Sequence, residues 1–187
     1  MIGVIKIRNM DQERVWLQGA RAFDRQSLAE IYDQFSPAIY RYAYRLLGSA
    51  DLAEECVAET FSRFLNTLKR GMGPETHLKA YLFRVAHNWV TDCFRRQPLP
   101  ELPLDPELHV NPEAEPSHAV VVRMERERVR SALKLLTPDQ RQVIALKFLE
   151  EMSNEEVAKV VEKPVGAVKA LQHRGIQALR RMLLAEE

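Results

Sequence analysis

The chain has 187 residues, with 27 lysines and arginines against 26 aspartates and glutamates and a net charge of +1. Its hydrophobic (46 %) and charged (28 %) fractions are those of a soluble globular protein of one ordinary domain or two small ones. No apolar run approaches the roughly 20 residues that span a bilayer, and MIGVIKIRNM is too short an apolar stretch for a secretory signal, so a cytoplasmic location without membrane insertion is expected.

In chain order, LAEIYDQFSPAIYRYAYRLLG is the first segment with apolar residues at helical spacing; Pro37 is expected to kink or restart it, and Gly48 to stop it. The next helix, SADLAEECVAETFSRFLNTLKR, starts near Ser49 and ends before Gly71, Gly73 and Pro74. Its Asp51, Glu54, Glu55 and Glu59 share one side of the wheel, and Val57, Phe61, Phe64, Leu65 and Leu68 the other. The acidic side reads either as an ordinary solvated face or as a docking face for a basic partner. A third helix is expected from about Glu75 to Arg96, with a core stripe of Leu78, Leu82, Val85, Ala86, Trp89 and Cys93. Tyr81, Arg84, Asn88, Asp92 and Arg95 run along its flank. Cations, a planar amide and a ring in one line suit single-stranded DNA, although Arg95 and Arg96 also fit as ordinary helix-end charge.

The pattern then breaks. QPLPELPLDPELHVNPEAEPS carries prolines at 98, 100, 103, 106, 112 and 116, and residues 98–117 hold no basic residue, which predicts an extended linker. Two blocks of net charge +3, residues 1–97 and 118–187, flank this connector of net −5. The expected organisation is therefore all-α: two small helical domains, 1–97 and 118–187, joined by an acidic proline-rich linker, 98–117.

The second block opens with a helix at about 118–136. TPDQ follows as a helix start, with Thr137 as N-cap and Gln140 closing a capping box; SNEE repeats the device with Ser153 and Glu156. NEEVAKVV, the turn EKP and the segment from Val165 then form a helix-turn-helix. On that last helix Val168, Leu171, Gly175, Ala178, Leu179 and Met182 form the apolar stripe. Lys169, Ala170, His173, Arg174, Gln177, Arg180 and Arg181 lie opposite, without a carboxylate. A basic solvated face is the plain reading. A helix lying in the major groove of double-stranded DNA is the sharper one, because carboxylates there would repel phosphate. Residues near the start of such a helix reach base edges, which points to Lys169, Ala170, His173 and Arg174.

Cys56 and Cys93 form no Cys-x-x-Cys pair and the five histidines show no ligand spacing, so reduced buried thiols and no metal site are expected. No glycine-rich phosphate loop and no partnered nucleophile appears, so neither an enzyme, a cofactor nor a small-molecule substrate is expected.

DLAEECVAETFSRF, AYLFRVAHNWVTDCFRR and LTPDQRQVIALKFLEEMSNEEVAKVVEKPVGAVKALQHRGIQALRRML, in this order, resemble the bacterial extracytoplasmic-function (ECF) type of sigma factor over nearly the whole chain. The resemblance implies a two-domain initiation factor that binds core RNA polymerase, recognises promoter DNA, melts it and starts transcription. It places Asp51, Glu54, Glu55 and Glu59 against the clamp helices of the polymerase. Arg84, Asn88, Asp92, Arg95 and Arg96 would lie on the minus-ten element, Asn88 being the best candidate for a captured base of the melted non-template strand, with the loop RGMGPETH beside it. Lys169, Ala170, His173 and Arg174 would read the minus-thirty-five element. Ala167 and Ala170 stand where the family commonly has Thr and Ser, which removes hydroxyl contacts there. The linker would thread the polymerase cleft, the plain alternative being a free spacer, and an anti-sigma factor is an expected partner. An ordinary DNA-binding regulator, or a pure interaction protein such as a polymerase-binding inhibitor, remains as a rival reading.

Overall fold

The computed structural model describes the backbone of residues 2–96 and 131–184, and the side chains of residues 12–96 and 131–181. All regular elements among these residues are helical: α1 (Ile2–Arg21), α2 (Arg25–Leu47), α3 (Ala50–Lys69), α4 (Leu78–Arg96), α5 (Pro138–Ile144), a π-helical turn (Ala145–Leu149), α6 (Asn154–Val161) and α7 (Val165–Leu184). The linker 98–117 lies outside the described residues, as does most of the helix expected at 118–136, of which 131–134 are helical.

Local chemistry sets most of the boundaries. Asp24 caps α2 by accepting from the Ser27 N–H at 2.8 Å, and Gly48 closes it in the left-handed region, donating its N–H to the Tyr44 carbonyl. Ser49 caps α3. Both expected capping boxes are present, Thr137 with Gln140 and Ser153 with Glu156, each side chain meeting the other residue's backbone N–H.

Two expectations are corrected. Pro37 does not restart a helix: α2 runs through it unbroken. An interior proline costs about 3 kcal/mol, but Ile31 on one side and Ile39, Tyr42, Ala43 and Leu46 on the other are all buried, which outweighs that cost. The helix expected from Glu75 begins three residues later, at Leu78. His77 sits at φ 60° in the left-handed region, and the Glu13 carboxylate accepts from the Leu78 N–H, supplying from α1 the cap that the local sequence lacks. Helix α5 itself widens into a π turn over Ala145–Leu149.

Helix α1, which has no clear periodic signal, is the brace of the amino-terminal half. Trp16 Nε1 donates to Glu30 at 2.6 Å and its ring meets Phe35 edge-on, while Arg21 donates to the Pro74 carbonyl. Leu17 and Ala20 are buried against α2. Helices α2, α3 and α4 pack mutually around Tyr42, Phe64, Leu78, Leu82 and Phe83.

The core does not stop at the linker. Val143, Leu146, Met152, Val157, Val160 and Val161 belong to the same apolar cluster as Leu78, Ala86 and Val90, and α6 packs directly on α4. Helix α7 packs on α5 and α6. At Gly175 the approach is close enough that a Cβ would stand 3.0 Å from Ile144 Cγ1, which fixes glycine at the crossing.

Candidate nucleic-acid interface and docking face

Helix α7 presents its cations as expected: Val168, Leu171 and Gly175 are buried, while Lys169, Ala170, His173 and Arg174 are exposed, as are Gln177, Arg180 and Arg181. Burial of that stripe is what holds the helix, and it dictates which side remains free. The turn before α7 is tight because Glu162 takes a left-handed conformation (φ 53°) and its N–H meets the Ala158 carbonyl. Gln172 donates to Asn154 at 2.7 Å, pinning α7 to the start of α6. A shallow groove of about 520 Å³ runs beside the exposed face, lined by Gln140, His173, Arg174, Gln177, Ala178 and Arg181. Gln140 is an addition to the sequence reading, where it figured only as a capping residue.

Helix α3 turns Asp51, Glu54 and Glu55 to solvent. Glu59 differs: it is half-buried and paired with Arg63 at 2.6 Å, so its charge is partly neutralised within the helix. On the opposite side Val57, Phe61, Phe64 and Leu68 are buried, and Leu65 is only half-buried. Cys56 is buried there, and burial pushes its thiol up to about 12, so it is unreactive at neutral pH.

On α4, Asn88, Arg95 and Arg96 are exposed, and Asp92 pairs with Arg95 at 3.7 Å. Tyr81 donates its hydroxyl to Thr67 Oγ1 at 3.2 Å, and the Arg84 guanidinium lies 5.6 Å from the centre of the Tyr81 ring. Both line a groove of about 540 Å³ together with Gly73, Pro74, Thr76 and His77 of the preceding loop. The far wall is Ala158, Lys159 and Glu162 of the helix-turn-helix unit, and Arg84 is ion-paired with Glu162 at 3.6 Å. Lys159 and Glu162 escaped the sequence reading because their neighbours in this groove lie far away along the chain.

His87, one turn from Arg84, has its Nδ1 buried without a hydrogen-bond partner, and burial lowers its pKa to about 4.

In sequence and fold the chain is similar to known proteins. The family model for sigma-70 region 2 matches residues 31–98, and that for sigma-70 region 4 matches residues 126–179. The ECF RNA polymerase sigma factor SigW of Bacillus subtilis is 30 % identical over 171 residues, covering 86 % of this chain and 90 % of that one. The ECF RNA polymerase sigma factor BldN of Streptomyces coelicolor is 31 % identical over 169 residues, 89 % of this chain; the match spans 64 % of that longer protein. In fold the chain is similar to CnrH, solved in complex with the cytosolic domain of CnrY, at TM-score 0.74 and 22 % identity over 94 % of this chain and 99 % of that one. It is also similar in fold to the sigma factor RpoE of Bartonella quintana, solved with the anti-sigma factor NepR, at TM-score 0.60 and 22 % identity over 87 % and 98 %. Two sigma-70 regions in order, matched along nearly the full length of an ECF relative, establish that the chain belongs to the ECF RNA polymerase sigma factors of the sigma-70 family.

Proposed function

We propose that the chain performs the three tasks of a sigma factor on three separate faces. Asp51, Glu54 and Glu55 of α3, with Glu59 as a weaker contributor, dock on a basic surface of core RNA polymerase. Arg84, Asn88, Asp92, Arg95 and Arg96 of α4 engage the minus-ten element. Lys169, Ala170, His173 and Arg174 of α7 read the minus-thirty-five element in the major groove. The observation that carries this reading is the opposition of charge: α3 exposes three carboxylates, whereas α7 exposes four cations and has no carboxylate. Complementary charge speeds encounter and selects partners, and cations on phosphate make binding fall with salt.

The domain limits proposed with this division are 1–97, 98–117 and 118–187. Asn88, exposed one turn beyond Arg84, is our candidate for capturing a non-template base, with the groove lined by Tyr81, Arg84, Gly73, Pro74, Thr76 and His77 as the proposed receiving site. Opening the duplex then draws on binding energy alone: unstacking a base costs a few kcal/mol, which stacking and hydrogen bonding offset. The chain acts as a non-catalytic factor. Since CnrH and RpoE are solved with CnrY and NepR, an anti-sigma protein is the proposed regulator of this chain as well.

The test is run-off transcription on a linear promoter template with core polymerase. Promoter-specific product in the wild type, and at least a tenfold loss in Glu54→Lys/Glu55→Lys at moderate salt, support the assignment. Full activity in that double variant removes the docking face.

A further inference from the structure

The groove of about 520 Å³ beside α7 has a one-sided chemistry. Among the described residues its lining holds five side chains that can donate hydrogen bonds, Gln140, His173, Arg174, Gln177 and Arg181, and no carboxylate. Two helices build it: α7 supplies one flank, and α5 brings Gln140 to the other. Gly175 permits that approach, because a Cβ there would lie 3.6 Å from Gln140 Cβ and 3.0 Å from Ile144 Cγ1. The capping box then fixes the Gln140 amide. Its Oε1 accepts from the Thr137 N–H at 3.3 Å, while its Nε2 has no partner among the described residues and keeps both hydrogens for a ligand. The neighbouring acid in sequence, Asp139, is paired with Lys163 at 3.1 Å, which offsets its repulsion of an anion.

We propose that this groove seats a backbone phosphate of double-stranded DNA, held by Gln140, Gln177 and Arg181, and that the seat sets the register of α7 in the major groove. The proposal rests on the reading that α7 meets the minus-thirty-five element, and it names the part of that contact which is blind to sequence. Residues near the start of a recognition helix reach base edges. Gln177 and Arg181 lie about two and three turns beyond Ala170, and Gln140 stands on another helix altogether. Such donors meet a duplex along its edge, where the phosphates run. Contacts to phosphate position a protein, whereas contacts to bases specify the sequence. Because α5 and α7 are packed together, the donors are held in place before DNA arrives, which lowers the ordering cost of the contact. A free anion would find the same donors, but only a duplex also gains Lys169, His173 and Arg174.

The test uses holoenzyme, core polymerase with the full chain, on the promoter duplex that supports run-off. Gln140→Glu is the main variant: glutamate serves equally at this place in a capping box, so the fold is kept while a carboxylate enters the groove. Arg181→Gln and the double variant Gln140→Ala/Arg181→Gln accompany it, and circular dichroism checks the helix content of each. Gln140→Glu should weaken promoter binding at least tenfold. Arg181→Gln should lower the slope of log affinity against log salt by about one. Neither should alter the ranking of minus-thirty-five variants. Methylphosphonate, a neutral replacement for phosphate, is then placed position by position along both strands of that element. One or two positions should cost the wild type at least fivefold and the double variant less than twofold, because the partners are already gone. Identical methylphosphonate profiles in wild type and double variant, or a changed ranking of base variants, overturn the phosphate seat. So does submillimolar binding of inorganic phosphate to the free chain that Gln140→Glu abolishes, which would make the groove a free-anion site. Failure of the α7 reading looks different: neither Lys169→Ala nor any methylphosphonate in the element then changes binding.

Discussion

Arg141→Met tests how the carboxy-terminal unit is held together. The guanidinium is buried, with the residue 5 % exposed, and donates from Nε to the Leu133 carbonyl at 2.8 Å and from Nη2 to the carbonyls of Lys134 and Leu136 at 2.7 and 3.1 Å. One side chain of α5 thereby bonds three carbonyls at and just beyond the end of the preceding helical segment, of which Leu133 also accepts from the Leu136 N–H at 3.2 Å. Hydrogen bonds from a charged group contribute about 1.5–3 kcal/mol each, a gross sum of roughly 4–9 kcal/mol for three. Desolvation works against this: burial lowers the Arg141 pKa, the mark of a cation held away from water. Methionine fills the stem volume, escapes that desolvation and leaves the carbonyls partly wet, so the net loss should be about 2–4 kcal/mol. With a urea slope of about 2 kcal/mol/M, the unfolding midpoint should fall by about 1–2 M. Arg141→Lys should recover less than half of the loss, since one ammonium cannot reproduce the fork. A midpoint shift below about 0.3 M for methionine, or lysine performing as well as arginine, refutes the reasoning.

His87 gives a pH prediction. Its folded pKa, lowered to about 4 from 6.5, means that the unfolded chain binds more protons between those values. Its contribution is therefore complete above pH 6.5 and is lost as pH falls toward 4, about 2 kcal/mol by pH 4.5. Urea midpoints of His87→Met should accordingly show a flatter slope than the wild type between pH 7 and 4.5, and parallel slopes would contradict the assignment. Asn88→Ala should reduce permanganate reactivity of the melted strand at least tenfold while leaving closed-complex binding within about twofold, because a captured base exists only after opening. His173→Ala and Arg174→Ala should each change the ranking of promoter variants, a direct base contact being worth about 1–3 kcal/mol. An unchanged ranking assigns them to phosphate only.

What the sequence revealed follows from the range of each interaction. The capping boxes at Thr137 and Ser153 close within three residues and were legible from spacing alone. The amphipathic faces of α3 and α7 were legible too, because packing repeats with the helix period. The role of α1 was not, since Trp16 and Glu13 find Glu30 and Leu78, 14 and 65 positions away. The start of α4 failed for the same reason: its cap comes from α1. Glu150 and Glu151 make the point most sharply. They are adjacent and chemically identical, yet one is buried on Arg45 while the other is exposed at φ 54°. Only the packing of the π turn against α2, which brings Arg45 to Glu150, tells them apart.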